Sequence, residues 1–359
     1  MRETVLVAMS GGVDSAIAAA LLKNKGFNVI GVTMQIWPKD MPKPAGETSC
    51  CSLSAIDDAR KVAQLLDIPY YVLNFRDLFE ERVINYFVRE YQAGRTPNPC
   101  IACNQFVKFE ALLQKAIAMG ADFIATGHYA RIEYDSIKKR YLMYKAVDKN
   151  KDQTYVLYSL SQSQLAKTLM PLGSYTKKEV RAMAAKAGLT VAEKPESQEI
   201  CFIPENNYRE FLHQRIGFGK PGPFIDMQGN VVGYHAGIAS YTVGQRKGLG
   251  LALGIPVYVV KIVPEKNAVI IGSIEDLMQD ALIARDSNFI LIDKLEDALE
   301  VTVKIRYKAK EAPAIISPAQ EGKVKVKFLE PQKAITPGQS VVYYIDDLVV
   351  GGGIIESAG

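Results

Sequence analysis

The sequence predicts an α/β protein whose parallel sheet gives way, past residue 200, to antiparallel β structure, and three observations carry that prediction. Strand-like apolar runs alternate with helix-periodic segments through residues 4–126. Such alternation builds βαβ units, hence a parallel sheet with helices on both faces. Residues 217–256 are punctuated by glycines between short apolar pieces, a change of texture that predicts a small β-rich central domain. From residue 257 onward VYVVKIV, AVIIG, VTVKIRYKA, GKVKVKFL and SVVYYI follow one another, predicting a small closed or nearly closed antiparallel barrel. Boundaries near 203 and 277 divide the 359 residues into domains 1–203, 204–277 and 278–359.

Each element has its own reason. Residues 4–9 are apolar throughout and read as a buried strand; a turn with two glycines follows, then an Ala-rich helix over 14–24 ended by Gly26. Residues 28–36 form a second strand, and past a Pro/Gly/Cys loop a helix covers 54–66 with Ser54 as its cap. Residues 69–74 are the next strand. Phe79, Val83, Phe87 and Tyr91 recur every four residues, an amphipathic helix that stops at Gly94. A helix over about 105–118 and a short strand at 122–126 complete the alternation, and a helical stretch over about 161–188 contains the capping box Thr176-Lys-Lys-Glu179. Lys323, Lys325 and Lys327 interleaved with Val324, Val326 and Phe328 make a half-buried strand with one charged face.

Composition excludes several classes. With 48% hydrophobic and 23% charged residues the chain is ordinary globular material, neither disordered nor fibrous. No apolar run nears the roughly 18 residues that span a bilayer, and no membrane partner is expected. Met1-Arg2-Glu3-Thr4 runs straight into a strand, so no cleavable signal peptide is expected. Lys and Arg number 43 against 39 Asp and Glu, a surplus of four that permits an anionic partner without demanding one. Five cysteines, an odd number, argue against a secreted disulfide framework and for a reducing cytoplasm.

Three constellations carry chemistry. Ser10-Gly11-Gly12-Val13-Asp14-Ser15 joins a strand to a helix, where main-chain N–H groups and the helix N-terminus favour phosphate. No Lys follows the glycines, so it is not the mononucleotide P-loop, nor is it GxGxxG. The reading places the glycine that needs a positive φ at Gly12. Gly94-Arg-Thr-Pro-Asn-Pro-Cys100-Ile-Ala-Cys103-Asn104 presents thiols immediately before a helix, where a thiol pKa is lowered. Half a zinc site completed by Cys50 and Cys51, or a redox pair, is the alternative there. The third, Lys194-Pro-Glu-Ser-Gln-Glu-Ile-Cys201-Phe-Ile203, sets a cysteine beside charges that argue for partial exposure; a buried structural cysteine is the alternative.

With TGHYAR (126–131), KDQTYVL (151–157), YTVGQRKGLG (241–250) and TPGQSVVYY (336–344) added in that order, the chain resembles the bacterial tRNA-specific 2-thiouridylase family over residues 4–353. The resemblance implies an N-terminal domain like the adenine-nucleotide hydrolases, with a pyrophosphate loop. It implies ATP-dependent exchange of the wobble uridine 2-oxygen for sulfur in tRNAs for lysine, glutamate and glutamine, by way of an adenylated base. ATP is then held by Ala8, Met9, Ser10, Gly11, Gly12, Val13, Asp14 and Ser15, with Met34 and Gly127 near it, and Mg2+ is expected with the nucleotide. Cys201 carries the incoming sulfur as a persulfide; Cys103 is its partner thiol, ending in a disulfide with Cys201; Asp14 is also assigned to catalysis. No residue is assigned as a metal ligand; protein groups and the ATP phosphates alone stay as alternative holders of the ion. Asn98, Pro99 and Cys100 match the segment facing the flipped-out base. His128, Lys151, Asp152, Gln153, Arg306, Tyr307 and Gln339 match tRNA contacts. By themselves Arg306 and Tyr307 read as an ordinary exposed strand, although residues 300–333 hold eight Lys/Arg against four Glu. Partners implied are tRNA and a sulfur donor such as a cysteine desulfurase or relay protein. Several relatives carry Asp where this chain has Cys100, which leaves the acid–base role there open.

Two rival readings have different signatures. A pyrophosphate-loop ligase acting on a small metabolite gives no reason for Cys103, Cys201 and the basic β domain to occur together. A non-enzymatic RNA-binding protein leaves the SGGVDS loop idle.

Overall fold

A computed structural model describes residues 2–38, 53–189, 191, 200–203, 207–217 and 219–359, with Leu53 as backbone only. Two compact units emerge: residues 1–83, 100–206 and 347–349 make the first, and 84–99, 207–346 and 350–359 the second.

In the first unit, β1 (Thr4–Ala8), β2 (Asn28–Gln35), β3 (Tyr70–Asn74), β4 (Phe123–Ala125) and β7 (Thr168–Leu169) form a parallel sheet in the order β3-β2-β1-β4-β7. Val5, Leu6 and Val7 of β1 are fully buried, because the central strand of a parallel sheet is covered on both faces. Helices α1 (Val13–Asn24), α2 (Leu53–Leu65) and α8 (Lys177–Lys186) belong to this unit. Their buried Ala16, Ile17, Ala59, Val62 and Val180 share a core with β1 and β2; each fully buried aliphatic side chain there contributes roughly 1.5–3 kcal/mol. The Thr176 box is present in full, its hydroxyl accepting from Glu179 N–H. Ser54, by contrast, lies inside α2 rather than capping it. The stretch expected to be helical over 161–188 is broken: α7 (Gln162–Leu165) is followed by β7 and a turn before α8.

Two features have no counterpart in the sequence reading. The helices around Cys103 contain π-helical turns, at Glu80–Ile84 after α3 (Arg76–Phe79) and at Cys103–Ala111 between α5 (Pro99–Ala102) and α6 (Leu112–Ala118). An antiparallel hairpin of β5 (Ala130–Asp135) and β6 (Arg140–Lys145) follows the TGHY segment.

The second unit holds α4 (Asn85–Gln92) and α9 (Tyr208–Ile216), joined by Tyr91 stacking on Tyr208 at 5.1 Å between ring centres. A four-stranded sheet, β10-β11-β8-β9, is built from β8 (Gly222–Ile225), β9 (Val231–His235), β10 (Tyr258–Val263) and β11 (Ala268–Gly272) around Phe224, Val259 and Val269. The remaining six strands are β12 (Met278–Phe289), β13 (Leu299–Lys304), β14 (Ala312–Pro318), β15 (Val324–Lys333), β16 (Ser340–Ile345) and β17 (Leu348–Ala358). They run β12-β15-β14-β13-β16-β17 and close through β17–β12, the antiparallel barrel the sequence predicts. Along β15, Val324, Val326 and Phe328 point into the barrel core while Lys325 and Lys327 face out, the alternation read from the sequence.

Candidate functional site

The loop Ser10–Ser15 leaves the carboxyl end of β1, and Gly127 follows the carboxyl end of β4. Met34 sits half-buried near the carboxyl end of β2. These three strands meet where the sheet order reverses direction, the place where open α/β sheets bind ligands. The loop is braced from within: Ser15 Oγ donates to Gly12 O at 3.0 Å and accepts from Ser10 N–H at 3.1 Å. The left-handed residue is Gly11, with φ +68°, not Gly12, whose φ of −104° any residue adopts. A Cβ on Gly11 would stand 2.3 Å from the Ala55 carbonyl oxygen, whereas one on Gly12 meets only Ser10 Oγ at 3.5 Å. Gly127 is needed for close approach: a Cβ there would lie 2.8 Å from main-chain atoms of Asp14 and Ser15.

Asp14, in the first turn of α1, is held from two sides. Lys177 Nζ donates to both carboxylate oxygens at 2.7 Å, and Tyr129 OH donates to Oδ1 at 2.7 Å. Lys177 is in turn fixed at the first residue of α8, its N–H donating to Asp148 Oδ2 at 3.0 Å. The sequence reading missed both partners; the ion pair joins positions 163 apart, and no short-range pattern announces it. The side chains are 10% and 32% exposed. Lys177→Met therefore leaves a largely desolvated carboxylate without its counter-charge. The expected cost is about 2–3 kcal/mol, under the roughly 3–5 of a fully buried pair because water reaches Asp14. Urea unfolding checks it, and adding Asp14→Asn should restore part of the loss; a cost below about 0.5 kcal/mol contradicts the assignment.

Cys100, Cys103 and Cys201 all carry reduced thiols, Cys100 exposed and the other two half-buried. Cys100 and Cys103 do not precede a helix: Pro99 opens α5, so Cys100 lies in its first turn and Cys103 begins the π-helical stretch. Phe202, next to Cys201, packs edge-to-face on Phe79 at 5.8 Å. Phe106, three residues past Cys103, lies under the Arg82 guanidinium at 5.6 Å. Phe79 and Arg82 are three apart on one continuous helical run, at the end of α3 and in the π-helical turn that follows it. Both thiol-bearing segments are thus packed on the same helix. Cys50, Cys51 and residues 192–199 lie outside the described residues, and among those that are described no three His, Cys, Asp or Glu side chains cluster as metal ligands.

His128 is 9% exposed, its Nδ1 2.8 Å from Thr126 Oγ1 and its ring against Phe109. Burial, with a smaller contribution from Lys108, holds its pKa well below the usual 6.5. The unfolded chain protonates this histidine near pH 6.5 and the folded chain does not, so folded stability drops as pH falls below that value. The expected loss is up to about 1.4 kcal/mol per pH unit. His235, also lowered by burial, acts in the same direction. Unfolding measured at about pH 7 and about pH 5.5 should show a shallower slope in His128→Gln; an unchanged slope contradicts it. Asp152 and Gln153 are hydrogen-bonded to their neighbourhood: Asp152 Oδ2 accepts from Thr154 Oγ1 at 2.7 Å, and Gln153 Oε1 accepts from Tyr129 N–H at 2.9 Å. Lys151 is half-buried beside them.

In the second unit Asn98 and Pro99 end a segment fixed by its neighbours. Arg95 makes a two-pronged pair with the buried Glu90 at 2.6 and 2.7 Å, and Thr96 N–H donates to Pro337 O at 2.8 Å. Gln339 Nε2 donates to Thr96 O at 2.9 Å. Arg306 and Tyr307 fall in the turn after β13 rather than on a strand; both are exposed, and Arg306 donates to Lys333 O at 2.8 Å.

Family models match the chain in sequence: a tRNA methyl transferase HUP domain over residues 3–205, a tRNA methyl transferase PRC-barrel domain over 209–273, and an aminomethyltransferase β-barrel domain over 279–355. The tRNA-specific 2-thiouridylase MnmA of Moorella thermoacetica is 60% identical over 98% of this chain and 99% of its own. That of Acetivibrio thermocellus is 59% identical over 99% of each chain, and that of Clostridium perfringens 57% over 99% of each. With identity of this order running through almost the full length of both partners, the chain belongs to the tRNA-specific 2-thiouridylase family.

Proposed function

We infer that the chain is an ATP-dependent tRNA-uridine 2-sulfurtransferase working in the cytoplasm on the wobble uridine of the lysine, glutamate and glutamine tRNAs. The observation that carries this reading is the presence, in one compact unit, of the braced SGGVDS loop and of two thiols whose segments pack on one helix. Ala8 to Ser15, with Met34 and Gly127, hold ATP; the N–H groups of the loop and of α1 suit its phosphates. Mg2+ is proposed to accompany ATP, and Asp14 is the carboxylate that the loop itself offers beside the phosphates. When bound, it supplies positive charge to the phosphates.

The base is adenylated first. Asn98, Pro99 and Cys100 receive the flipped uridine, whose O2 attacks the α-phosphorus and releases pyrophosphate. Sulfur follows. A donor protein leaves a persulfide on Cys201; the Cys103 thiolate attacks the Cys201 sulfur, forming the Cys103–Cys201 disulfide and expelling hydrosulfide. Hydrosulfide adds at C2 and AMP departs, so two thiols supply the two electrons and a thiol reductant must reset the disulfide. His128, Lys151, Asp152, Gln153, Arg306, Tyr307 and Gln339 are proposed as tRNA contacts. The division into 1–203, 204–277 and 278–359 belongs to the same proposal, supported by where the three family models fall. Pyrophosphate release is the test: it should require both ATP and unmodified tRNA, and release that ignores tRNA would sink the reading.

A further inference from the structure

The β5–β6 hairpin takes no part in the nucleotide or sulfur chemistry, and its composition sets it apart. Residues 130–145 hold five Lys/Arg against two carboxylates, a surplus of three where the whole chain's surplus is four. The turn concentrates that charge: Lys138, Lys139 and Arg140 are consecutive, and neither Lys138 nor Lys139 forms an ion pair among the described residues. The acid nearest the tip is occupied, since Asp135 Oδ1 accepts the Ile137 and Lys138 N–H groups at 2.8 and 2.9 Å. Directly below the turn Tyr134 and Tyr141 stand opposite one another, 5.0 Å between ring centres, with Tyr134 56% exposed. The pairing of the half-buried Tyr141 with Tyr134 helps hold the two strands together, and it leaves the exposed Tyr134 ring held in place beside the basic tip.

The arm is also stiff. Gln162 pins β6 by a double hydrogen bond to Tyr141, its Oε1 accepting the N–H at 2.8 Å and its Nε2 donating to the carbonyl at 2.9 Å. At about 3.4 Å per residue the strand carries its tip roughly 15–20 Å beyond Ala130, which follows directly on the TGHY segment. A rigid, basic, ring-bearing arm suits a polyanion that has both phosphates and unstacked planar groups. RNA is that polyanion.

We propose that the β5–β6 hairpin is a second RNA-contacting element, in which Lys138, Lys139 and Arg140 meet backbone phosphates and the Tyr134/Tyr141 pair packs on a base or ribose. The proposal rests on the tRNA-modifying reading above. Its test is binding of unmodified tRNA by the full chain across a salt series. Lys138→Ala/Lys139→Ala/Arg140→Ala should lower affinity by about 10- to 100-fold and flatten the salt slope by about two units. Tyr134→Ala should weaken binding by about 5- to 50-fold with the slope unchanged, because stacking releases no counterions. In the triple variant, ATP-driven pyrophosphate release at saturating tRNA should stay at the parent rate. An unchanged affinity and slope in the triple variant overturns the proposal. So does normal tRNA binding combined with slowed sulfur delivery from a persulfide-bearing donor protein, which would assign the hairpin to a protein partner. A parent chain that binds no tRNA at all fails the functional reading itself, and is told apart from these outcomes by needing no variant.

Discussion

Cys201→Ser is expected to release pyrophosphate with tRNA and ATP at close to the parent rate while forming no 2-thiouridine. Activation needs only the loop, ATP and the base; sulfur needs the thiol that carries it. Cys103→Ser should fail at the next step, accepting sulfur on Cys201 yet never expelling it, because an alcohol cannot resolve a persulfide. Both losses should exceed about a thousandfold, since the missing groups are reactants rather than acid–base helpers worth about 10²–10⁴. The sign that the two thiols work in sequence is a persulfide that accumulates in Cys103→Ser and never appears in Cys201→Ser, read by intact mass. Packing of the two thiol-bearing segments on the helical run containing Phe79 and Arg82 makes this sequence physically reasonable. Cys100→Asp should retain thiolation, as the family resemblance implies. A zinc role for Cys100 and Cys103 predicts otherwise: lost metal, lost stability, and both cysteines failing alike.

Gly11→Ala should abolish adenylation and Gly12→Ala should not. The Cβ of an alanine at 11 would sit 2.3 Å from the Ala55 carbonyl oxygen, main-chain material that cannot swing aside, at a φ of +68°. Left-handed backbone alone costs a non-glycine residue roughly 1–2 kcal/mol, and the clash must be relieved by moving the loop or α2. Either movement displaces the N–H groups that would cradle phosphate. At position 12 the φ is −104° and the nearest contact, Ser10 Oγ at 3.5 Å, is ordinary. Pyrophosphate release and urea unfolding of the two variants check the pair; equal loss in both would mean that the loop tolerates no side chain for some other reason.

That the left-handed glycine is Gly11 illustrates what the sequence could and could not tell. The strand–loop–helix unit of residues 4–24 is local, and its apolar run, glycines and Ala-rich periodicity name it directly. The half-buried strand at 324–328 was equally plain, since alternation at period two is a short-range signal. Which of two adjacent glycines takes the positive φ depends instead on α2 lying across the loop. The Lys177–Asp14 pair depends on α8 returning to α1. The β5–β6 hairpin escaped because its turn, Ser136-Ile-Lys-Lys139, has no glycine or Asn-Gly: Lys139 itself takes the left-handed conformation, at φ +52°, while Asp135 ties the turn from outside. Arg306 and Tyr307 read as strand because the alternation of VTVKIRY continues past the point where β13 ends. Resemblance to the family named the thiols and the tRNA contacts; the contacts of Phe202 with Phe79 and of Phe106 with Arg82 set both thiol-bearing segments against one helical run, a long-range packing that no local pattern announces.

Nucleoside mass spectrometry of tRNA after incubation with the chain, ATP and a persulfide source tests the central claim most directly. The account predicts 2-thiouridine at the wobble position of the lysine, glutamate and glutamine tRNAs, strictly ATP-dependent and absent with Cys103→Ser or Cys201→Ser. Thiolation that persists in Cys103→Ser, or a parent chain that leaves uridine unmodified with all components present, would contradict it.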